Sequence, residues 1–398
     1  MHLTNCVVCS GSNLKNVLDI GNHALVNNFV SEPCIQETYP LLLSVCKDCL
    51  HSQQNFIVPP NKLFQNYSYV SGVGKTVFDY CETVAKIITN DLENPKSKKI
   101  LDIACNDGSQ LDAFKKLGWE TYGVDPAENI VPIAIEKGHK VKIGFWGTNS
   151  FDLPIFDAII AQNVFAHVSD PISFLKECFN HMDSNSKLYI QTSQANMYVN
   201  SEFDTIYHEH ISFFSAKSFK KAAEIANLDI VDIGKIPIHG TSFFVTFKKK
   251  NNFECTRLSS FIKEEEETLT DEFFESYRTK ILKVKEWTND AISKEGYNVV
   301  AYGAAAKGMI LIKYFDIHSK IDYIVDDSIH KQGKYTPSTN IKIVSSDEFY
   351  KDERNLIILI LAWNISDEII SNIKKNRKNK TIIVCPYPNS FIEVLQTN

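Results

Sequence analysis

The chain has 398 residues, of which 44% are hydrophobic and 23% are charged, and its formal net charge is -6. This length exceeds one ordinary hydrophobic core and predicts two or three globular domains. The acidic balance, without a long basic block, argues against nonspecific nucleic-acid binding, which needs Lys and Arg against phosphates. The first residues have no basic leader or apolar segment, and the longest apolar runs are too short to span a bilayer. We therefore expect a cytoplasmic protein without a nucleic-acid or membrane partner.

Residues 1 to about 70 are turn-rich and contain two C-x-x-C pairs, Cys6 with Cys9 and Cys46 with Cys49. Two thiolates at this spacing can bind one metal ion from a tight turn, and two such turns complete the tetrahedral S4 site that zinc accepts. In a chain without a secretion signal, a metal site is favoured over disulfides. Four free or buried thiols are the alternative. We predict a structural zinc ion, because four cysteine ligands leave no open coordination position.

After residue 76, strand-like and helical segments alternate through "KILDIAC", "QLDAFKKLG", "ETYGVDP", "FDAIIAQNV" and "KLYIQTS". This alternation predicts a mainly parallel sheet covered by helices. A charged helical stretch covers 255 to 295, and a second α/β unit follows with "NVVAYGAAAKG", "IDYIVDDS" and "NLIILILAW". The predicted fold class is α/β. The predicted domains are a zinc-binding domain at 1–70, a Rossmann-like domain at 71–250, and a helical linker with a C-terminal Rossmann-like domain at 251–398.

The segment "ILDIACNDGSQL" reads as a strand, a tight loop and the start of a helix. Asp125 lies 23 residues after Asp102 and ends the next strand, where an acidic residue can hold two ribose hydroxyls. Phosphate-binding loops normally carry more glycine than this one, whose single glycine is Gly108. The surrounding carboxylates favour a cationic ligand without phosphate, and S-adenosylmethionine, with its sulfonium and ammonium groups, fits. An ordinary strand-to-helix turn is the alternative.

The segment "EFDTIYHEHISFF" places Tyr207, His208, Glu209 and His210 side by side between apolar residues. A buried hydrogen-bonded cluster, a metal site and an acid/base site are three interpretations of this pattern. We expect a strand here, and we disfavour a metal pair. A histidine, with an ordinary pKa of about 6.5, suits proton removal near neutral pH. We interpret His208 as structural.

These motifs occur together with "QNVFAHVSDP", "IPIHGTSF" and "YGAAAKGMILI", in the order found in the zinc-containing nucleotide-sugar C-methyltransferases, which the whole chain resembles. The segment "FDTIYHEH" is the most specific element of the resemblance. Members transfer a methyl group from S-adenosylmethionine to a ring carbon of a keto-deoxysugar. The resemblance implies a zinc domain, a central methyltransferase domain, a C-terminal Rossmann-like domain and a nucleotide-linked keto-sugar as substrate. We expect a monomer.

The resemblance also implies the roles of individual residues. The zinc ligands are Cys6, Cys9, Cys46 and Cys49. The residues at the methyl-donor site are Asp102, Asn106, Gly108, Asp125, Gln162 and Asn163. The catalytic base is His210, with Tyr207, Glu209 and His167 as its neighbours. The candidates on the sugar-nucleotide side are Tyr67, Tyr69, His239 and Lys307.

Two residues depart from the family pattern. Ala104 stands where glycine is usual, and Gln191 stands where an acidic residue is usual. They favour the alternative of a sugar-nucleotide-binding protein of the same fold without turnover, and a sugar O-methyltransferase is a third hypothesis. NAD binding is not expected, because "GAAAKG" lacks the middle glycine that lets a pyrophosphate approach the backbone.

Overall fold

The structure is a computed structural model that describes residues 1–65, 75–92, 95–238 and 241–395. Three of the predicted substrate-side residues, Tyr67, Tyr69 and His239, lie outside the described residues. The model is α/β, as predicted, and its strands form three sheets. No helix in the described ranges is long and apolar enough to cross a membrane.

The secondary-structure elements alternate along most of the chain, as the sequence predicts. The strands are β1 (Leu14–His23), β2 (Tyr39–Cys46), β3 (Ser52–Gln54), β4 (Lys99–Ile103), β5 (Glu120–Asp125), β6 (Lys140–Ile143), β7 (Phe156–Gln162), β8 (Met182–Thr192), β9 (Ser212–Phe213), β10 (Leu228–Ile236), β11 (Ser242–Lys249), β12 (Asn298–Tyr302), β13 (Ile321–Val325), β14 (Ile343–Val344), β15 (Leu356–Ile360), β16 (Thr381–Cys385) and β17 (Phe391–Leu395). The helices are α1 (Pro60–Phe64), α2 (Lys75–Asp91), α3 (Ser109–Lys116), α4 (Val131–Glu136), α5 (Pro171–Asn180), α6 (Ala216–Ile225), α7 (Thr256–Thr268), α8 (Asp271–Ala291), α9 (Ala306–Phe315), α10 (Ser346–Tyr350) and α11 (Ser366–Asn376). Short 3-10 helices cover Phe165–His167, Phe203–Thr205, His318–Lys320 and Trp363–Ile365.

The N-terminal sheet has the order β1-β2-β3-β9 and is antiparallel throughout. Its last strand comes from far along the chain, because β9 pairs with β3 through Ser52 opposite Phe213 and Gln53 opposite Ser212. The residues of β3 are fully enclosed although all three are polar. The N-terminal segment is therefore completed by residues that the sequence pattern assigns to the central domain.

The central sheet has seven strands in the order β10-β11-β8-β7-β4-β5-β6. Strands β4 to β8 pair in parallel, whereas β11 lies antiparallel between β8 and β10. The chain leaves β4 first toward β5 and later returns to its other side as β7. Ligands of open α/β sheets bind at the carboxyl ends of the strands where the direction of winding reverses, so this fold directs attention to the loops after β4, β5 and β7.

The C-terminal sheet has the order β14-β13-β12-β15-β16-β17, with only β17 antiparallel. Its central strand β15, "LIILI", is buried at all five positions. A continuous apolar strand is expected where helices cover both faces of a parallel sheet, and this explains the longest apolar segment of the sequence. The same hydrophobic core extends to the β1–β2 hairpin and to Phe203 and Phe213, so the C-terminal sheet packs against the segment around the predicted catalytic residues.

Candidate active site and zinc centre

The two C-x-x-C pairs form matching turns. Ser10 and Leu50, the residues after each pair, have positive φ angles of 61° and 58°. Their backbone N–H groups donate back to the carbonyls of Cys6 and Cys46. This geometry points both thiols of each pair to the same side, as a metal-binding knuckle requires.

The four thiols of these turns converge on one point. The sulfur atoms of Cys6, Cys9, Cys46 and Cys49 all lie within 4.8 Å of one another, with Cys6–Cys49 at 3.6 Å and Cys9–Cys46 at 3.5 Å. A tetrahedral zinc ion with Zn–S bonds of about 2.3 Å needs sulfur atoms roughly 3.8 Å apart, so the cluster fits the ion. The remaining six cysteines are isolated, as the sequence suggested.

The loop after β4 has an unusual backbone. Ala104 and Asn106 adopt positive φ angles of 64° and 51°. Gly108 has φ +78°, and a Cβ atom there would lie 2.8 Å from the ring of His139. Only glycine avoids both the strain and the contact. The loop can therefore offer an open backbone surface to a ligand, and the left-handed conformation of Ala104 explains why glycine is favoured at that position.

Three carboxylates surround this loop. Asp125 ends β5 and accepts hydrogen bonds from the backbone N–H groups of Asn106 and Ala127, both at 2.8 Å. Burial raises its pKa. Asp102 lies fully buried in β4, and its pKa is raised well above the ordinary range by burial and by the charges of Asp125 and Asp107. The ammonium of Lys137 lies 3.6 Å from the Asp107 carboxylate. A cationic ligand would relieve the crowding of negative charge at Asp102 and Asp125, so the residues present fit the sulfonium and ammonium groups of S-adenosylmethionine.

Gln162 and Asn163 lie at the carboxyl end of β7, beside β4 in the sheet. The amide of Gln162 donates to the hydroxyl of Tyr80 on α2 at 3.2 Å, and Asn163 has a positive φ of 52°. All six predicted donor-site residues thus lie on β4, β5 and β7 or on the loops that follow them, around the reversal point of the sheet.

The C-terminal sheet repeats the carboxylate arrangement of the central sheet. Asp326 follows β13 and accepts the backbone N–H groups of Ala304 and Ser328 at 2.8 and 2.9 Å. The ammonium of Lys331, however, lies 3.3 Å from this carboxylate and donates to the carbonyl of Ala304. Because the negative charge is already compensated, this second site does not offer the cation-binding environment of the first.

The four proton-handling residues form a turn, so the predicted strand at this position is wrong. The backbone N–H of His210 donates to the carbonyl of Tyr207 at 2.8 Å, which closes the turn. A strand would point Tyr207 and His210, which are three residues apart, to opposite faces, whereas the turn directs the two side chains to each other. His208 points away and contacts the carbonyl of Tyr39 at 3.1 Å.

His210 is held in one tautomer. Its Nδ1 atom lies 2.7 Å from the carbonyl oxygen of Thr205, and a carbonyl can only accept, so Nδ1 carries the hydrogen. Nε2 is then the acceptor, and the hydroxyl of Tyr207 lies 3.0 Å from it. Burial and the neighbouring His167 and Lys307 hold the pKa of His210 well below 6.5. The imidazole is therefore neutral at pH 7, with a basic nitrogen directed into the site.

The other predicted neighbours surround this ring. His167 ends the 3-10 helix after β7, its ring centroid lies 5.1 Å from that of His210, and burial lowers its pKa to about 4. Burial raises the pKa of Tyr207 well above 10, which keeps its hydroxyl protonated. Glu209 accepts from the amide of Asn27 at 2.5 Å. The backbone N–H of Ile211 donates to Ala166, so the turn and the loop after β7 are joined.

Lys307 is the one substrate-side prediction inside the described residues. It lies in the first turn of α9, and its ammonium is 4.1 Å from the ring centroid of Trp363. Its charge is close enough to lower the pKa of His210. Gln191, the other departure from the family pattern, is fully buried and donates to the hydroxyl of Ser242 at 2.6 Å. Its polar contact is therefore with β11.

Sequence reasoning missed Gln54. Its side-chain amide donates to two carbonyls of the turn, those of Tyr207 at 2.5 Å and His210 at 2.6 Å, and its backbone N–H donates to Ile211. Gln194, also missed, places its amide nitrogen 3.2 Å from Nε2 of His210, the ring nitrogen that can accept a hydrogen bond from it. More than 150 residues separate Gln54 from the turn, so no local spacing in the sequence could have indicated the contact.

Comparison with protein families gives three consecutive matches along the chain. A zinc binding domain matches residues 6–64, a methyltransferase domain matches 77–233, and a C-methyltransferase C-terminal domain matches 237–388. Together with the four-cysteine centre and the donor loop, these matches define a methyltransferase that uses S-adenosylmethionine and binds zinc.

Some similar proteins match nearly the whole chain, whereas others match less than half of it. The C-methyltransferase NovU of Streptomyces niveus is 24% identical over 97% of this chain and 96% of its own length. A ubiquinone biosynthesis O-methyltransferase of Coxiella burnetii is 25% identical over 41% of this chain and 73% of its own. A solved S-adenosylmethionine-dependent methyltransferase from Clostridium acetobutylicum covers 45% of this chain and 94% of its own, at 11% identity and a TM-score of 0.36. Over nearly its whole length the chain is therefore similar to a C-methyltransferase, and its N-terminal part matches a zinc binding domain.

The zinc centre should contribute folding energy. Purified protein should contain about one zinc ion per chain, and Cys46→Ser should lower both the zinc content and the melting temperature, because ligand loss removes binding energy from the folded state. Cys34→Ser is the matched control, since Cys34 is exposed and outside the cluster. Metal analysis and thermal unfolding with and without a chelator provide the measurements. Zinc-free wild-type protein whose melting is unaffected by chelation would contradict the assignment.

Asp125 should bind the methyl donor. We expect Asp125→Ala to weaken S-adenosylmethionine binding by about 1.5–3 kcal/mol, the range for a charged hydrogen-bonding group. Isothermal titration calorimetry measures this loss directly. Asp326→Ala is the control, because it removes the equivalent carboxylate from the C-terminal sheet, where Lys331 compensates the charge. Equal donor affinity in wild type and Asp125→Ala would show that the donor binds elsewhere.

Gln54 should position the turn without binding zinc. Gln54→Met keeps the length of the side chain but leaves the His210 carbonyl without its Gln54 donor, at a cost of about 1–3 kcal/mol, and removes one of the two donors to the Tyr207 carbonyl. We expect a lower turnover number with one zinc ion per chain retained. Gln53→Met is the matched control, because Gln53 instead contacts Val7 and Asn5 beside the zinc knuckle. Gln53→Met should lower zinc retention more than it lowers the turnover of metal-loaded protein. Loss of zinc in Gln54→Met, or loss of turnover with full zinc in Gln53→Met, would refute these two roles.

Proposed function

We propose that the protein transfers a methyl group from S-adenosylmethionine to a ring carbon beside the ketone of a nucleotide-linked keto-deoxysugar. The observation that carries the proposal is the state of His210, a buried neutral imidazole whose basic Nε2 faces the site. A carbon beside a ketone bears a weakly acidic hydrogen, and its removal requires such a base. Transfer to a hydroxyl oxygen would not require an enolate.

His210 acts on the substrate in this proposal. Nε2 accepts the hydrogen of the ring carbon as the C–H bond breaks, and the bonding electrons move into the ketone to form an enolate. The carbonyl of Thr205 accepts from Nδ1–H throughout and stabilises the imidazolium that results. When bound, S-adenosylmethionine supplies the electrophilic methyl group that the nucleophilic carbon receives.

Tyr207 and His167 are suited to stabilise the enolate oxygen. The raised pKa of Tyr207 keeps its hydroxyl available as a donor, and the lowered pKa of His167 keeps its ring neutral. Hydrogen-bond donors fixed before the reaction stabilise a developing negative charge most effectively in a site from which water is excluded. Glu209, fixed by Asn27, is placed to accept a hydroxyl of the sugar.

The position of Lys307 supports the proposal that the substrate carries phosphate. It combines an ammonium group with the first turn of α9, where backbone N–H groups and the helix dipole favour anions. Its proximity to His210 puts an anion-binding group beside the proposed base, as a sugar linked to a nucleotide diphosphate would need. Carbon rather than oxygen as the acceptor is supported by the full-length similarity to NovU, whereas the similarity to the O-methyltransferase covers less than half of the chain.

The proposal is tested with His210→Asn on a panel of nucleotide-linked 4-keto sugars deuterated beside the ketone. Wild type should release deuterium from the carbon that gains the methyl group, as measured by mass spectrometry. The variant should bind donor normally and turn over about 10²–10⁴-fold more slowly, the usual loss for a general base. His208→Asn is the matched control, because His208 lies in the same turn but faces Tyr39. It should retain most of the rate.

The pH dependence provides a second readout. The folded protein keeps the pKa of His210 below 6.5, so the base should remain neutral at pH 7 and the rate should fall only at more acidic pH. Unchanged turnover in His210→Asn would falsify the base assignment. A product that retains its deuterium and carries the methyl on oxygen would identify an O-methyltransferase. Binding of donor and keto-sugar without turnover in wild type would favour the binding-protein alternative.

A further inference from the structure

A buried carboxylate joins the catalytic turn to the C-terminal sheet. Asp204 is completely inaccessible to solvent and lies in the 3-10 helix just before the turn. Its Oδ2 atom accepts a hydrogen bond of 2.7 Å from the indole N–H of Trp363, which follows β15. Its Oδ1 atom has no hydrogen-bond partner within the described ranges. Burial raises the pKa of this carboxyl, and a buried oxygen atom without a hydrogen-bond partner is costly to the folded state.

The indole that holds Asp204 also contacts a cation. The ammonium of Lys307 lies 4.1 Å from the ring centroid of Trp363, a distance at which the ring face attracts a positive charge. Trp363 therefore has the carboxyl group of Asp204 at its N–H edge and the ammonium of Lys307 at its face. One side chain links the proposed phosphate-binding group to the catalytic segment.

The next residue after Asp204 controls the proposed base. The carbonyl oxygen of Thr205 accepts the hydrogen on Nδ1 of His210 and so determines which ring nitrogen is basic. On the other side of Asp204, the ring of Phe203 packs against Phe315 at 5.3 Å between ring centroids. The short segment that carries the Thr205 carbonyl is thus anchored to the C-terminal sheet by one polar and one apolar contact.

We propose that Asp204 is a positioning residue: its hydrogen bond from Trp363 fixes the Thr205 peptide and thereby the tautomer and direction of His210. This inference rests on the proposed function and extends it. Because Lys307 lies on the same indole, a phosphate-bearing substrate bound there acts on the side chain that orients the base. Substrate binding at the C-terminal sheet is then coupled through Trp363 to the tautomer and orientation of His210.

The test removes the hydrogen bond while preserving the shape of both partners. Trp363→Phe retains an aromatic ring beneath Lys307, and Asp204→Leu retains the approximate size of the side chain but has no atom that can accept the indole N–H. With the keto-sugar that wild type turns over, each variant should lower kcat by about tenfold to a hundredfold, as expected for small errors in the position of a reacting group. The KM for S-adenosylmethionine should be unchanged. The double variant should be no slower than either single variant, because all three lose the same bond.

Two readouts separate positioning from a purely structural role. Loss of the Thr205 hydrogen bond removes a contribution that raises the pKa of His210, so the acid limb of the kcat profile should move to lower pH. Nitrogen-15 spectra of histidine-labelled protein, without substrate, should show one tautomer of His210 in wild type and a mixture in Trp363→Phe. Trp119→Phe is the control, because it removes an indole hydrogen bond to Thr89 of helix α2.

The outcomes are distinguishable from failure of the proposed function. If His210→Asn is inactive but Trp363→Phe keeps the wild-type kcat, acid limb and tautomer, the positioning role is refuted and the base assignment stands. If Trp363→Phe is less stable than wild type but keeps the wild-type kcat, acid limb and His210 tautomer in its folded molecules, the contact is only structural. If Asp204→Leu does not fold, Trp363→Phe alone decides, since it leaves the carboxyl group in place. If His210→Asn is fully active, the proposed function fails first.

Discussion

The active site depends on one pairing between segments distant in the sequence, that of β3 with β9. This contact attaches the strand just after the catalytic turn to the sheet that carries the zinc knuckles, and Gln54 reinforces it by holding two carbonyls of the turn. Without these tertiary contacts, the turn would not keep the imidazole of His210 in one orientation. The zinc ion, although it lies outside the site, therefore contributes to it by stabilising the sheet on which the turn rests.

The site combines contributions from all three sheets. The central sheet offers the carboxylates and open backbone suited to the methyl donor, the N-terminal sheet holds the turn, and the C-terminal sheet contributes Lys307 and Trp363. Asp125 and Asp326 have similar backbone contacts but different electrostatic surroundings. Each accepts two backbone N–H groups, but only the second is neutralised by a lysine of the same chain, Lys331.

The sequence predicted the parts of this structure that depend on local spacing. The two C-x-x-C pairs do converge, and the apolar segments are strands of the two α/β units. The residues predicted for the donor site lie at or just after the ends of β4, β5 and β7, and their role stays a prediction. The strand expected at the catalytic segment is wrong, because the tertiary contacts of Gln54 and Thr205 stabilise a turn among residues that would suit a strand. Gln54, Asp204 and Trp363 were not predicted, since their contacts join residues more than 150 positions apart.

The late arrival of β9 has a consequence for the order in which the molecule is made. The N-terminal sheet cannot be completed until residue 213 has left the ribosome, so β3 first exists as an open edge with unpaired backbone groups. Synthesis of the intervening 150 or so residues takes on the order of ten seconds at 5–20 residues per second. During that interval the zinc knuckles can close, but the edge of β3 remains available to other chains. Premature termination between β3 and β9 would leave a metal-bound fragment prone to association.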